Sequence, residues 1–146
     1  MSSRPPEREE LDGMLEPLLQ FAQDMLRRRG EFYPFAATIG VDGQLNLNAA
    51  DTGSQHPPSQ EVLELLADGM RAQASTGQIR AAAFCYDVRF TGADGKQTDA
   101  IAVALEHKAG DAALVMLPYS KGRLSGLRFG ELIAAPPAER RVFRAG

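Results

Sequence analysis

FYPFAATIGVDGQLNLNAAD, residues 32–51, decides how the rest of the chain is read. Two apolar runs flank Asp42-Gly43, a dipeptide that favours hairpin turns. If those two residues alone formed the turn, Ile39 would face Asn46. A three-residue loop, Asp42-Gly43-Gln44, instead pairs Val41 with Leu45, Ile39 with Leu47 and Ala37 with Ala49. One face is then apolar throughout, and Asn46 and Asn48 join Thr38 on the other. A slip of one residue exchanges the faces, so burial selects the three-residue loop. The stretch reads as a hairpin rather than as a ligand loop.

Upstream, Leu11, Leu15, Leu18, Ala22 and Met25 recur at helical spacing. Glu7, Glu9 and Glu10 suit a helix start, Arg27, Arg28 and Arg29 its end, and Gly30 its C-cap. Pro17 removes a backbone donor. It either kinks this helix or lies in the first turn of one beginning near Met14. Residues 1–6 read as an extended lead-in. Downstream, residues 51–58 (DTGSQHPP) read as a loop, and Ser59 with Glu61 opens a second helix that ends near Thr76-Gly77. Val62, Leu65, Leu66 and Met70 form its predicted buried stripe, with Leu63 at the margin.

Three strands follow: AAAFCYDVRF up to Asp94-Gly95, TDAIAVALEH up to Ala109-Gly110, and AALVMLP. Folding about those dipeptides pairs Val88 with Ile101, Tyr86 with Val103 and Phe84 with Leu105, then Leu105 with Leu114 and Val103 with Met116. Both turns place the same residues on one face, which predicts a meander with that face packed on the second helix. The reverse face includes Cys85, Asp87, Ala100, Ala102 and Val115 and is mostly small and apolar. A helix or a second subunit should cover it. Residues 124–133 read as a short helix or a sixth strand. Pro136-Pro137 sets off a basic tail, residues 136–146, that holds Val142 and Phe143.

The predicted architecture is one α+β domain over residues 1–146. Its order is α-β-β-α-β-β-β, with helices packed on a five-stranded, mainly antiparallel sheet. A chain of 146 residues with 44% apolar and 24% charged residues can bury one such core. The net charge of −3 disfavours nucleic acid and anionic membranes as partners. No stretch approaches the roughly 18 apolar residues of a membrane span. Cys85 is the only cysteine, so no internal disulfide forms. Together with a start, MSSRPPEREE, that lacks an apolar segment, this predicts a cytoplasmic location.

The chain has no Walker loop, dinucleotide fingerprint, paired-cysteine metal site, HExxH or GxSxG. No catalytic residue, metal or cofactor is predicted. His56 and His107 read as two surface histidines, since a metal would need further carboxylates from elsewhere. Cys85 sits mid-strand among alanines and reads as core. Asp87 shares that strand and needs a partner, which Arg89 or Arg80 would supply. The strongest ligand-site candidate is PYSKGRLSGLRFGE, residues 118–131. It carries Tyr119, Lys121, Arg123 and Arg128 with Ser120 and Ser125 in a glycine-punctuated loop. Backbone N–H groups and cations there would hold a carboxylate or phosphate, with Asp87 as a polar neighbour. The plainer reading is a solvated connection.

Gly30-Glu31-Phe32-Tyr33-Pro34-Phe35 after an amphipathic helix, Thr98-Asp99-Ala100-Ile101, and Leu117-Pro118-Tyr119 resemble a group of small bacterial proteins of unknown function. This resemblance names no activity and carries over no catalytic residue. The element order is similar to that of roadblock and profilin-like modules. That likeness implies helices on both faces of a five-stranded antiparallel sheet and frequent dimerisation.

Two functions compete on these grounds. The first is a binding or interaction module, homodimeric, with a protein partner. An immunity-type protein that neutralises a toxin is one version, suggested by small size and mild acidity. The second is a small-ligand protein or enzyme using residues 118–131. A deep pocket containing Asp87, Tyr119 or Arg128 favours the second, and a flat apolar patch the first.

Overall fold

A computed structural model describes residues 6–49, 59–92, 94–122, 126–137 and 140–143. Two helices and seven strands follow in the order α1 (Pro6–Arg29), β1 (Phe35–Gly40), β2 (Leu45–Ala49), α2 (Ser59–Ser75), β3 (Ile79–Thr91), β4 (Gln97–His107), β5 (Ala112–Gly122), β6 (Gly126–Phe129) and β7 (Ile133–Ala135). The fold is α+β, and every strand pairing is antiparallel. The sheet runs β2-β1-β3-β4-β5-β6, with β7 also on β5. Seven strands thus replace the expected five. The added pair comes from residues 124–135, where strand wins over helix. Four or three residues between glycines and prolines are too few for a stable helix but enough to zip onto a waiting edge.

α1 crosses β4, β3 and β1, and α2 lies over β3 and β1 on the opposite face. α1 begins with Glu7 and Glu9, ends with Arg27, Arg28 and Arg29, and buries Leu11, Met14, Leu18, Ala22 and Leu26. Gly30, at φ 76°, closes it by donating its N–H to the Leu26 carbonyl at 2.9 Å. Pro17 is interior to this single helix, so the choice of a helix starting near Met14 falls. The carbonyl it leaves without an intrahelical donor belongs to Gly13, an exposed residue. In α2 the buried stripe is Val62, Leu63, Leu66, Ala67 and Met70. Leu63 therefore takes the place expected of Leu65, which is 45% exposed.

The hairpin of the opening stretch keeps its predicted faces but not its predicted loop. Ile39 pairs with Leu45, Ala37 with Leu47 and Phe35 with Ala49. Gly40 donates to the Gln44 carbonyl at 3.0 Å, so the loop is residues 41–43, not 42–44. The shift is by two residues of register and conserves parity. Leu45 and Leu47 share the α1 face with Ile39, yet both are exposed, at 39% and 48%.

The meander differs by one residue at both turns. Phe84 pairs with Ala104, Cys85 with Val103 and Tyr86 with Ala102; Leu105 pairs with Ala113 and Val103 with Val115. The closing bonds run from Gly92 N–H to Lys96 C=O and from His107 N–H to Asp111 C=O, each 2.8 Å. Three residues therefore lie inside each turn, and the third is a glycine with positive φ, Gly95 at 81° and Gly110 at 113°. The expected two-residue turns are corrected accordingly. A slip of one exchanges faces. Phe84 and Tyr86 lie against α2, while Cys85, Ile101, Val103 and Leu105 pack under α1.

The C-terminal segment folds back onto its own chain. Glu106, 5% exposed, accepts backbone N–H bonds from Arg141 at 2.9 Å and from Val142 and Phe143 at 2.8 and 2.7 Å. Arg71 of α2 donates to the Arg141 carbonyl at 2.6 Å, and the Arg141 guanidinium lies 5.8 Å above the Phe84 ring. Val142 is buried among α2 residues. A carboxylate that takes three successive amides anchors an otherwise irregular segment. Val142 and Phe143 thus pack within their own domain.

Candidate functional site

Within 118–131 the described residues are mostly strand. β5 runs through Pro118 to Gly122 and returns as β6, with Tyr119 opposite Phe129, Ser120 opposite Arg128 and Lys121 opposite Leu127. Pro118 is tolerated because β5 gives Val115, Leu117 and Tyr119 to β4, so the backbone of residue 118 points outward. Its carbonyl accepts the Gly130 N–H at 2.8 Å.

Strand parity then divides the predicted site. Tyr119 and Lys121 face α1; Ser120 and Arg128 face the other side. The Lys121 ammonium donates to the Gly30 carbonyl at 2.5 Å and so caps the C-terminus of α1. Arg128 lines a shallow hollow of about 250 Å³ with Thr98, Pro118 and Ser120. Arg123 and Ser125 lie outside the described residues. The cations therefore do not converge on one anion, and the predicted cradle is not assembled by the residues described.

Asp87 and Tyr119 do meet. The Tyr119 hydroxyl, on a 5% exposed residue, reaches Asp87 Oδ1 at 2.8 Å and Oδ2 at 2.9 Å across β4. Neither predicted arginine takes that role. Arg89 pairs with Asp99 at 3.3 Å, and Arg80 pairs with Glu10. Burial holds the Asp87 carboxyl above its ordinary value; the Tyr119 bond pulls it down and the Asp99 charge pushes it up. Burial and the Asp87 charge likewise raise the Tyr119 phenol. A phenol held protonated against a carboxylate is a structural pair at neutral pH.

A second polar cluster, at the other end of the sheet, has no counterpart in the sequence reading. Glu10 of α1 receives the Arg80 guanidinium, with Nε at 3.0 Å from Oε1 and 2.9 Å from Oε2. Its Oε1 also lies 2.9 Å from His107 Nε2. The Ala109 N–H donates to His107 Nδ1 at 3.0 Å, so the ring proton sits on Nε2 and is given to Glu10. Arg80, above all, holds the Glu10 carboxyl below its usual range, and His107 adds to this against the opposing effect of burial. Arg8 pairs with Asp111 at 2.8 Å alongside. His107 is 7% exposed, not a surface histidine, and both ring nitrogens are engaged. The carboxylate–histidine pair thus pins the start of α1 to β3 and β4 and has no nitrogen left for a substrate. His56 lies outside the described residues. No sequence signal joins residues 10, 80 and 107, which are brought together only by the crossing of α1.

Cys85 is fully buried, and burial pushes its thiol up, as a core residue requires. Among the described residues, no group of three or more His, Cys, Asp and Glu could hold a metal ion. A hollow of about 540 Å³ lies between the end of α2 and residues 140–143. Its arginines are already used: Arg71 on Asp68 and on the Arg141 carbonyl, Arg140 on the carbonyls of His107 and Gly110.

Exposed apolar side chains occur on both sides of the sheet, with Leu132 and Ile133 at and beside β7 and Leu65 on α2. Val41 at 60%, Leu47 at 48%, Phe21 at 44% and Leu45 at 39% exposure all belong to the β2 side of the sheet. Phe21 stacks 4.7 Å from Phe35, whose cross-strand partner is Ala49 of β2. Among the described helices, none is long and apolar enough to cross a membrane. No protein-family model, curated protein or solved structure matches the chain.

Proposed function

We propose that this chain is a small protein-interaction module whose contact surface is the β2 edge of its sheet. The observation that carries the reading is the coincidence of exposed Leu45 and Leu47 with a strand edge that no described strand pairs. Main-chain groups on such an edge supply affinity, and alternate side chains supply specificity. The element order resembles that of roadblock and profilin-like modules, which is a fold-level reason in the same direction. A toxin-neutralising, immunity-type role is one specific version, in which the partner covers this edge.

The alternative, an anion-binding site at residues 118–131, loses support because Lys121 caps α1 and Arg128 faces the opposite side. Site-specific photo-crosslinking in the native cell separates the two. A crosslinker at Leu47 should give a discrete protein adduct, and one at Arg128 should not. No adduct at Leu47, together with phosphate or carboxylate binding abolished by Arg128→Ala, would move the function to β5 and β6.

A further inference from the structure

We infer that the occupant of the β2 edge is β2 of a second copy of this chain, paired antiparallel about a two-fold axis through Leu47. This rests on the reading of β2 as the contact edge and names its partner. Gly40 donates to the Gln44 carbonyl, so hydrogen-bonded pairs on β1 recur at Thr38 with Asn46 and Ala36 with Asn48. The backbone groups of Leu45, Leu47 and Ala49 therefore point away from β1. Among the described residues no strand takes them.

The strand is complementary to itself. With Leu47 opposite Leu47 of the second copy, Leu45 falls opposite Ala49, and Asn46 opposite Asn48. Apolar meets apolar on the α1 face, and amide meets amide on the other, both favourable cross-strand pairings. The same register brings Leu45 of the second copy beside Ala49, where Phe21 and Phe35 stack. The strand LNLNA carries no charge, so nothing on it selects a charged peptide or repels its own copy. Edge strands that must stay single carry lysine, proline or a bulge. β2 has none of these.

The register gives a specific test. At a hydrogen-bonded antiparallel pair the Cα atoms lie about 5.5 Å apart, within disulfide range. Leu47→Cys should form a disulfide-linked dimer under mild oxidation. Leu45→Cys alone should not, but should cross-link when mixed with Ala49→Cys. Cys85 is fully buried and does not compete. In sedimentation at micromolar concentration the wild type should run at twice its 15.8 kDa, and Leu47→Lys at 15.8 kDa with an unchanged circular dichroism spectrum. If Leu47→Lys unfolds, the cysteine series decides. A wild-type monomer with no Leu47→Cys dimer overturns self-pairing, and so does equal cross-linking by Leu45→Cys and Leu47→Cys. In either case a Leu47 photo-adduct with a different protein keeps the interaction reading, and its absence removes both.

Discussion

β5 hands its outward backbone groups to β7 at Leu114–Met116 and to β6 at Tyr119–Gly122, whereas β2, on the opposite side of the same sheet, gives its own to nothing among the described residues. The covered edge even places its proline, Pro118, between the two short strands, where the missing N–H matters least. The bare edge carries Leu45 and Leu47 on one face and Asn46 and Asn48 on the other. An exposed apolar edge invites association. β6 and β7, of four and three residues, also have no described strand beyond them, so the two sides differ in the length and character of the bare strand, not in whether one is bare.

The largest expected effect lies between the edges and calibrates both. Leu105 of β4 is 4% exposed beneath α1, so Leu105→Ala should cost roughly 2–5 kcal/mol in urea unfolding. A loss well under 1 kcal/mol would mean that the α1 face is misassigned. Proline substitution at matched ladder positions then breaks the comparison directly. Met116 turns its N–H outward to Ile133 of β7, and Met116→Pro should lose about 0.5–1.5 kcal/mol with that ladder bond. Leu47 turns its N–H outward to no described strand, so Leu47→Pro in dilute solution should cost clearly less. Equal losses would erase the distinction between the edges.

The smallest effects are in pH dependence, and they differ in sign between the two sides. Arg80 joins Glu10 to the β1–β2 turn, donating also to the Val41 carbonyl at 3.1 Å. The Glu10 carboxyl is held low, so its stabilisation is present above the ordinary glutamate value of 4.5 and lost as pH falls. Glu10→Gln should lower the melting temperature near neutrality and flatten its acid decline. The Asp87 carboxyl is held high, so its contribution favours the fold below 3.8 and is lost as pH rises through the folded-state value. Asp87→Asn keeps an acceptor for the Tyr119 hydroxyl. It should raise the melting temperature near neutrality relative to wild type, and that gain should vanish in acid. A gain for Glu10→Gln near neutrality would contradict the structural role of the cluster.

How much of this was legible in the sequence depends on what a face can reveal. In the β1–β2 hairpin one face is polar, with Thr38, Asn46 and Asn48, and that contrast was enough to place the faces correctly. In the meander both faces are apolar. Tyr86 against Val103 looks as sound as Tyr86 against Ala102, so burial could not choose the register. The agreement between the two turns came from one shared assumption, that Asp94-Gly95 and Ala109-Gly110 were whole turns. The glycine with positive φ closes a three-residue loop in the β1–β2, β3–β4 and β4–β5 hairpins, at Gly43, Gly95 and Gly110, and applying that one rule yields those three registers. The clusters were beyond reach for a different reason. Glu10, Arg80 and His107 are joined only by tertiary packing, as are Glu106 and residues 141–143. Of the predicted ligand site, Asp87 and Tyr119 share a bond, but parity separates Arg128 from Lys121.

Residue-resolved hydrogen exchange at two protein concentrations tests the contrast between the edges most directly. In dilute solution the Leu45 and Leu47 amides should exchange as freely as an open strand, while Asn46, bonded to β1, and Leu114 and Met116, bonded to β7, stay protected. Raising the concentration should protect Leu45, Leu47 and Ala49 selectively. Leu47 protected as strongly as Met116 in the dilute sample would show that the chain covers its own β2 edge, and would contradict the account.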